Sequence, residues 1–258
     1  FSHQNPGFID SLLEKHGPFV HVYFPADRNM TLVCLRKMLG SKEGVNALVS
    51  GKADFPEWLT LKEAKEAVDR GVMVWDFASD SNPDIVLSAA GDYLTKECLA
   101  AITILKEDLP HVRIRFVNVA ELTALGIGSN NNNIPFSSFD DYFTHDKPVI
   151  MNFHGYPETI KQKLFDQKSA HNRFYVHGYL EHGSTTTPFD MQVRNKTSRL
   201  HLTMEACALL EKDGVISPNV AKELVEKYKK MLDEHFVYIQ EHGEDPDYIA
   251  NWKWTKQS

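Results

Sequence analysis

The sequence predicts an α/β fold of three layers, with a mainly parallel sheet covered by helices on both faces. Three observations point there. Strand-like runs recur at Asp84 to Ala89, His111 to Val119, Pro148 to Phe153 and Arg173 to His177, with helical spacing between them. The composition, 42% hydrophobic and 24% charged, supplies a sizeable core. A length of 258 residues suits one large domain, or a modest domain with a fragment of another attached.

Taken in order, Pro6-Gly7 leads into Phe8, Ile9, Leu12 and Leu13, spaced for one face of a short helix. Phe19 to Phe24 reads as a strand stopped by Pro25, and a helix from Ala26 to Leu39 is closed by Gly40. Val45 to Val49 is a short strand. Thr60-Leu61-Lys62-Glu63 has the form of a capping box opening a helix that ends near Gly71, and the stretch Gly51 to Gly71 reads as a boundary between two domains.

Past that boundary, the strand at Asp84 to Ala89 meets Gly91 and a helix of roughly a dozen residues ending at Leu109-Pro110. Val112, Ile114, Phe116 and Val119 mark the next strand. Glu121 to Leu125 is a short helix closed by Gly126-Ile127-Gly128, and Ser129 to Pro135, with four consecutive asparagines, is an exposed, mobile loop. A helix around Glu158 to Gln167 joins the last two strands. Ser217-Pro218 is an N-cap and first-turn pair. It opens a helix whose apolar stripe runs through Val220, Leu224, Tyr228, Met231, Leu232, Phe236 and Ile239. Trp252 and Trp254 either pack back on the domain or reach a neighbouring subunit.

Composition also excludes. A formal charge of -7 argues against broad nucleic-acid binding. No apolar run approaches the roughly 20 residues that span a bilayer. Cys34, Cys98 and Cys207 are odd in number, far apart and outside any C-x-x-C, as free thiols in a reducing compartment would be, so a soluble cytoplasmic protein is expected. The chain opens at Phe1 with neither Met nor a secretory signal, and is expected to be a piece of something longer.

Candidate sites carry little chemistry on spacing alone. Gly126-x-Gly128 lacks the third glycine of a dinucleotide loop, and there is no G-x-x-x-x-G-K-[ST]. His171, His177, His182 and His201 are metal-competent side chains without ligand spacing, and ordinary hydrogen bonds account for them. Neither Ser88 nor Ser129 has the context of a nucleophile elbow. The hydroxyl-dense run Thr185 to Met191 could hold a phosphate, but an ordered loop tied to its own backbone is the simpler reading.

Longer matches say more. Phe1-Ser2-His3-Gln4-Asn5-Pro6-Gly7-Phe8, His21-Val22-Tyr23-Phe24-Pro25-Ala26-Asp27, Val49-Ser50-Gly51-Lys52, Trp58-Leu59-Thr60, Asp146-Lys147-Pro148-Val149-Ile150, His154-Gly155-Tyr156-Pro157, Gly183 to Met191 and Arg199-Leu200-His201-Leu202 resemble, in order and spacing, segments of phosphoketolases. The resemblance covers nearly the whole chain, and Thr-Thr-Thr-Pro-Phe-Asp-Met is highly specific. The sequence departs from the family where Asn5 replaces Asp, Ala53 replaces a common Gln, and Glu158 and Thr159 replace bulky apolar residues.

The resemblance implies a C-terminal portion. Residues 1–40 would be the tail of the pyrimidine-binding domain, 41–71 a linker and the start of the next domain, and 72–258 a C-terminal domain similar to that of transketolase. The intact enzyme would be a thiamine diphosphate- and Mg2+-dependent carbon–carbon lyase (an aldehyde-lyase) and a homodimer. It would cleave xylulose 5-phosphate or fructose 6-phosphate with inorganic phosphate, giving acetyl phosphate and an aldose phosphate. The family's diphosphate-and-magnesium signature, Gly-Asp-Gly followed by Asn, is absent from this chain, as is the cofactor-activating glutamate. The piece is therefore expected to bind no cofactor or metal, to be inactive alone, and to work with the upstream thiamine-binding domains.

Residue by residue, His3 matches the family's active-site histidine, a group that transfers a proton or hydrogen-bonds substrate; the plainer role is a polar residue at a helix entry. Lys52 matches a lysine at the active-site entrance and would meet the sugar phosphate as a point charge; the plainer role is a solvated surface lysine. His154, His201 and the Thr185 to Asp190 run are expected to serve structure or contacts between domains. The other reading is a non-catalytic interaction or regulatory domain that stabilises the dimer or binds an effector in the sheet's crevice. A dinucleotide-dependent oxidoreductase lacks its loop.

Overall fold

Strand pairing divides the chain into a two-stranded and a five-stranded sheet. The structure, a computed structural model, describes residues 5–15, 19–52, 56–125, 136–180 and 185–254. The expected loop at Ser129 to Pro135, the Gly126–Gly128 turn and His182 lie outside the described residues.

The first unit is a βαβ. Helix α1 (Gly7–Leu13) buries Ile9 and Leu13 but leaves Phe8 exposed, so its apolar face is narrower than its spacing suggests. Strand β1 (Val20–Tyr23) crosses over through α2 (Arg28–Gly40) to β2 (Val45–Leu48), which lies parallel to it. Asp27 caps α2, accepting from the Met30 N–H at 2.8 Å. Its other oxygen accepts from the N–H groups of Trp58 and Leu59 at 2.9 and 3.0 Å, so one buried carboxylate fixes both the helix and the segment that follows it. Two strands are fewer than a stable sheet needs, and parallel sheets are normally covered on both faces. Here β2 ends the sheet, and α2 presents Leu32, Leu35 and Leu39, 56%, 43% and 86% exposed, along one stripe.

The second unit begins at α3 (Leu61–Arg70). Thr60 and Glu63 form the reciprocal capping box, and Gly71 ends the helix at φ +75°, with the Cβ of Ala124 only 2.5 Å from where a side chain would start. Then come β3 (Val72–Val74), β4 (Ile85–Ala90), α4 (Asp92–Asp108), β5 (Ile114–Val119), α5 (Phe136–Phe143), β6 (Val149–Phe153), α6 (Pro157–Leu164) and β7 (Phe174–His177). The strand order is β3-β5-β4-β6-β7, parallel throughout except for β3. Strand β3 is absent from the sequence-based expectation: three residues are too few for a periodic signal. Helix α4 has 17 residues, longer than expected, because it stays buried along most of its length.

Period-two alternation places the side chains. Ile85, Leu87 and Ala89, Ile114 and Phe116, and Ile150 face one core with α4 and the C-terminal helices. Val86 and Ala90, Val117 and Val119, and Val149, Met151 and Phe153 face the other, which also takes up Val20, Val22 and Phe24 of the first unit. Both faces are covered, as the three-layer reading requires. The units are latched where the Phe24 N–H donates to Ala120 O at 2.8 Å and His21 Nδ1 meets the buried Glu121 carboxylate at 2.6 Å. Two departures from the family pattern lie together at the α1–α6 contact. Tyr156 donates to Asn5 Oδ1 at 3.3 Å, and the Thr159 hydroxyl bonds Asp10.

The remaining helices are α7 (Pro188–Arg194), α8 (Arg199–Lys212), α9 (Pro218–His242) and α10 (Asp247–Ala250). Ser217 caps α9 as expected, but its stripe is shifted: Val220 and Phe236 are exposed, whereas His235 is buried. His235 bonds Asp245 at 2.9 Å and lies edge-on to Phe189, which satisfies its polar atom inside the core. Trp252 and Trp254 pack back on the domain, against Trp58 and Phe77. Beneath them, Arg199 grips the fully buried Glu97 through Nε at 3.0 Å, an Nη at 2.7 Å and its own backbone N–H at 2.8 Å. No helix among the described residues is long and apolar enough to cross a membrane.

Arg199→Met strands the Glu97 carboxylate in the core, and should lower the unfolding free energy by about 3–5 kcal/mol in urea denaturation. Glu97→Leu combined with Arg199→Met should recover most of that loss. A single-variant loss below about 1 kcal/mol would contradict this account of the pair.

Candidate functional site

In the five-stranded sheet β5 and β6 lie on opposite sides of β4, so the strand order reverses between β4 and β6. A crevice opens at the carboxyl ends of strands at such a point, and ligands of α/β proteins bind there. Here that edge is built from Gly91-Asp92 after β4, His154-Gly155 after β6 and Gly178 after β7.

Close packing selects these residue types. Gly91 adopts φ +109°, and a Cβ there would lie 2.9 Å from the Cβ of His154. A Cβ on Gly178 would run into the Gly155 carbonyl. His154 is fixed by its N–H to Ala90 O at 3.1 Å, while its buried Nδ1 has no hydrogen-bond partner. Burial lowers the pKa of His154, with the Asp92 carboxylate opposing the shift. One strand-register row below, Asn118, Ala89, Asn152 and His177 stand side by side across β5, β4, β6 and β7. The side-chain N–H groups of Asn118 and Asn152 are bonded, but their oxygens are not.

Asp92 joins this edge to the first unit. It lies in the first turn of α4 and is buried. One oxygen accepts from the Tyr93 N–H at 2.7 Å; the other accepts from the Gly51 N–H at 2.5 Å, with the Ser50 hydroxyl at 3.5 Å. The segment that leaves β2 is thereby tied to the carboxyl edge of the five-stranded sheet. It carries Lys52, which is exposed. Lys52 therefore follows directly on the residue bonded to Asp92; His3 lies outside the described residues. No sequence motif marks Asp92. The available signal was its position, an acidic residue directly after a strand and a glycine at the start of a helix.

The remaining candidates are engaged elsewhere. The Thr186 hydroxyl donates to Asp190 at 2.7 Å. Thr187 caps α7 and donates to Asp245 at 2.6 Å, while the Phe189 N–H reaches the other Asp245 oxygen at 2.9 Å. The run is an ordered turn tied to its own helix and to residue 245. His171 bonds Phe165 O, His177 bonds Glu205 at 2.5 Å, and His201 Nδ1 bonds Ser198 Oγ at 2.8 Å. Among the described residues no three His, Cys, Asp or Glu side chains are grouped to hold a metal. Burial, with His177 and Lys196 nearby, lowers the His201 pKa to about 4.

Comparison with known proteins adds the family. Residues 52–254 match the model described as the XFP C-terminal domain, and residues 1–41 match that of D-xylulose 5-phosphate/D-fructose 6-phosphate phosphoketolase. A probable phosphoketolase of Brucella suis is 42% identical over 259 residues, covering 99% of this chain and 32% of that protein. One from Rhodopirellula baltica is 40% identical over 262 residues, covering 100% and 32%. The chain spans about a third of the length of the curated relatives it matches. Among solved structures, the transketolase from Leishmania mexicana has a TM-score of 0.57 at 14% identity, over 81% of this chain and 28% of that one. A split-gene transketolase, described as an inactive beta4 tetramer, has 0.56 at 16% identity, over 78% and 62%. At those identities the likeness is one of fold.

Both depressed histidines fix the sign of a pH effect. An unfolded histidine titrates near 6.5, so below about that pH the unfolded state binds more protons than the folded one. Stability should therefore fall as pH drops from about 6.5 and, for His201, level off below about 4. In melting temperatures measured across that window His201→Gln should flatten part of the slope. An unchanged slope would remove His201 from the explanation.

Proposed function

This chain belongs to the phosphoketolase family as its C-terminal portion, and from that premise we propose that it completes a thiamine diphosphate- and Mg2+-dependent homodimeric enzyme. That enzyme cleaves xylulose 5-phosphate or fructose 6-phosphate with inorganic phosphate to acetyl phosphate and an aldose phosphate. The support is the in-order match of two family models across residues 1–41 and 52–254.

The described residues of this chain do not fit the cofactor. At the carboxyl edge the buried Asp92 is already satisfied by backbone N–H groups and the buried Glu121 is taken by His21 and Thr123, and the described residues hold no ligand cluster for a divalent ion. The cofactor belongs to the upstream two thirds of the enzyme, and this chain contributes groups that meet the sugar phosphate. Lys52 supplies a positive charge to the phosphate, and His3 moves a proton or holds a substrate hydroxyl.

The domain boundary follows from the same reading. Residues 1–40 are the tail of the upstream pyrimidine-binding domain, 41–71 pass between domains, and 72–258 form the C-terminal domain. The exposed Leu32, Leu35 and Leu39 and the shortness of the β1–β2 sheet support an upstream neighbour for this unit, although β2 pairs with β1 and so carries the unit past residue 40 into the 41–71 stretch.

In the full-length protein, acetyl phosphate should form from fructose 6-phosphate or xylulose 5-phosphate only when inorganic phosphate, Mg2+ and thiamine diphosphate are present. His3→Ala should reduce kcat about 10²–10⁴-fold. Absence of product from both ketoses would overturn the reading. Leu39→Cys should react with maleimide at least tenfold more slowly than Lys230→Cys on the exposed face of α9. Equal rates would place the leucine stripe in solvent.

A further inference from the structure

We infer that Asp92 is a positioning residue for the phosphate-contacting lysine, acting from the C-terminal domain on a segment that leaves the preceding unit. The inference rests on the role proposed for Lys52. Three observations carry it. Asp92 is buried, yet among the described residues it pairs with no cation: its carboxylate accepts the N–H groups of Tyr93 and Gly51, with the Ser50 hydroxyl nearby. Gly51 is the residue immediately before Lys52, which is exposed, so the bond fixes the backbone at the base of the lysine and leaves its ammonium free to reach solvent. The carboxylate itself cannot wander. It stands in the first turn of α4, whose next turn is anchored by Glu97 to Arg199, and Gly91 before it is packed against His154.

A hydrogen bond to an ionised, buried acceptor is among the stronger ones, and a lysine on a flexible segment loses more entropy on meeting a phosphate than one whose backbone is already held. Asp92 therefore acts on affinity for the sugar phosphate through the placement of Lys52. It touches neither substrate nor reacting atoms.

The test is a double-mutant cycle on the full-length enzyme, reading KM for fructose 6-phosphate and kcat separately. Lys52→Ala should raise KM, and Asp92→Asn should raise it about tenfold with kcat changed less than threefold. Asp92→Asn added to Lys52→Ala should raise KM no further. Equal KM effects of Asp92→Asn with and without Lys52 would overturn the inference and leave Asp92 as a helix cap only. If Lys52→Ala leaves KM unchanged, the proposed role of Lys52 fails first, and this inference with it. If Lys52→Ala raises KM and Asp92→Asn does not, only the inference fails. Should Asp92→Asn not fold, Gly51→Pro removes the same hydrogen bond from the other side, and the same non-additivity with Lys52→Ala is expected; additivity would overturn the inference.

Discussion

The buried pair of Glu97 and Arg199 is the constraint on which the C-terminal half depends. An ionised carboxylate with no exposure survives only if its lone pairs are met, and Arg199 meets them with two side-chain donors and one backbone donor. The guanidinium lies over the rings of Phe189 and Trp252, each 5.4 Å away, so α7 and the segment after α10 are drawn over the same point. Lys96, beside Glu97, donates to Ala250 O at 2.8 Å and so ties down the end of α10 as well. Geometry of this kind locks α4 in both rotation and height. The carboxyl edge of the sheet, one turn earlier, inherits that rigidity.

Much of the fold was legible because local rules and burial agreed. The Thr60–Glu63 capping box, the stop at Gly71, the Ser217-Pro218 start and the strands at 84–89, 148–153 and 173–177 were all visible as patterns confined to a few residues. What stayed hidden depended on partners far along the chain. His235 reads as a surface residue and Phe236 as core, yet Asp245 and Phe189 reverse the two. Strand β3 exists because β5 offers it an edge. The site divides in the same way. Lys52 could be named from a motif, whereas Asp92 becomes meaningful only when folding sets it one hydrogen bond from Gly51, 41 positions earlier in the sequence.

The same logic separates the two polar networks of the carboxyl edge. Around Thr187 the hydroxyls of Thr186 and Thr187, the carboxylates of Asp190 and Asp245 and the imidazole of His235 all have mates, and the result is a rigid turn. Around His154, Asn118 and Asn152 buried polar atoms remain without protein partners, at a depth where an unmet polar atom costs about 1–3 kcal/mol. A fully satisfied network specifies structure. A partly satisfied one, buried near the point where the strand order reverses, is where the domain keeps unused hydrogen-bonding capacity.

The clamp over Glu97 also sets an order of events during synthesis. Its arginine is encoded 102 residues after the carboxylate it neutralises, and Trp252 comes later still. At about 5–20 residues per second, a ribosome needs on the order of 5–20 s to make that stretch. Throughout that interval α4 can form locally, but its outer face has nothing to close against. A nascent chain of this protein therefore carries an uncovered face of α4 for seconds, long enough for chaperones, or for another nascent chain, to find it first.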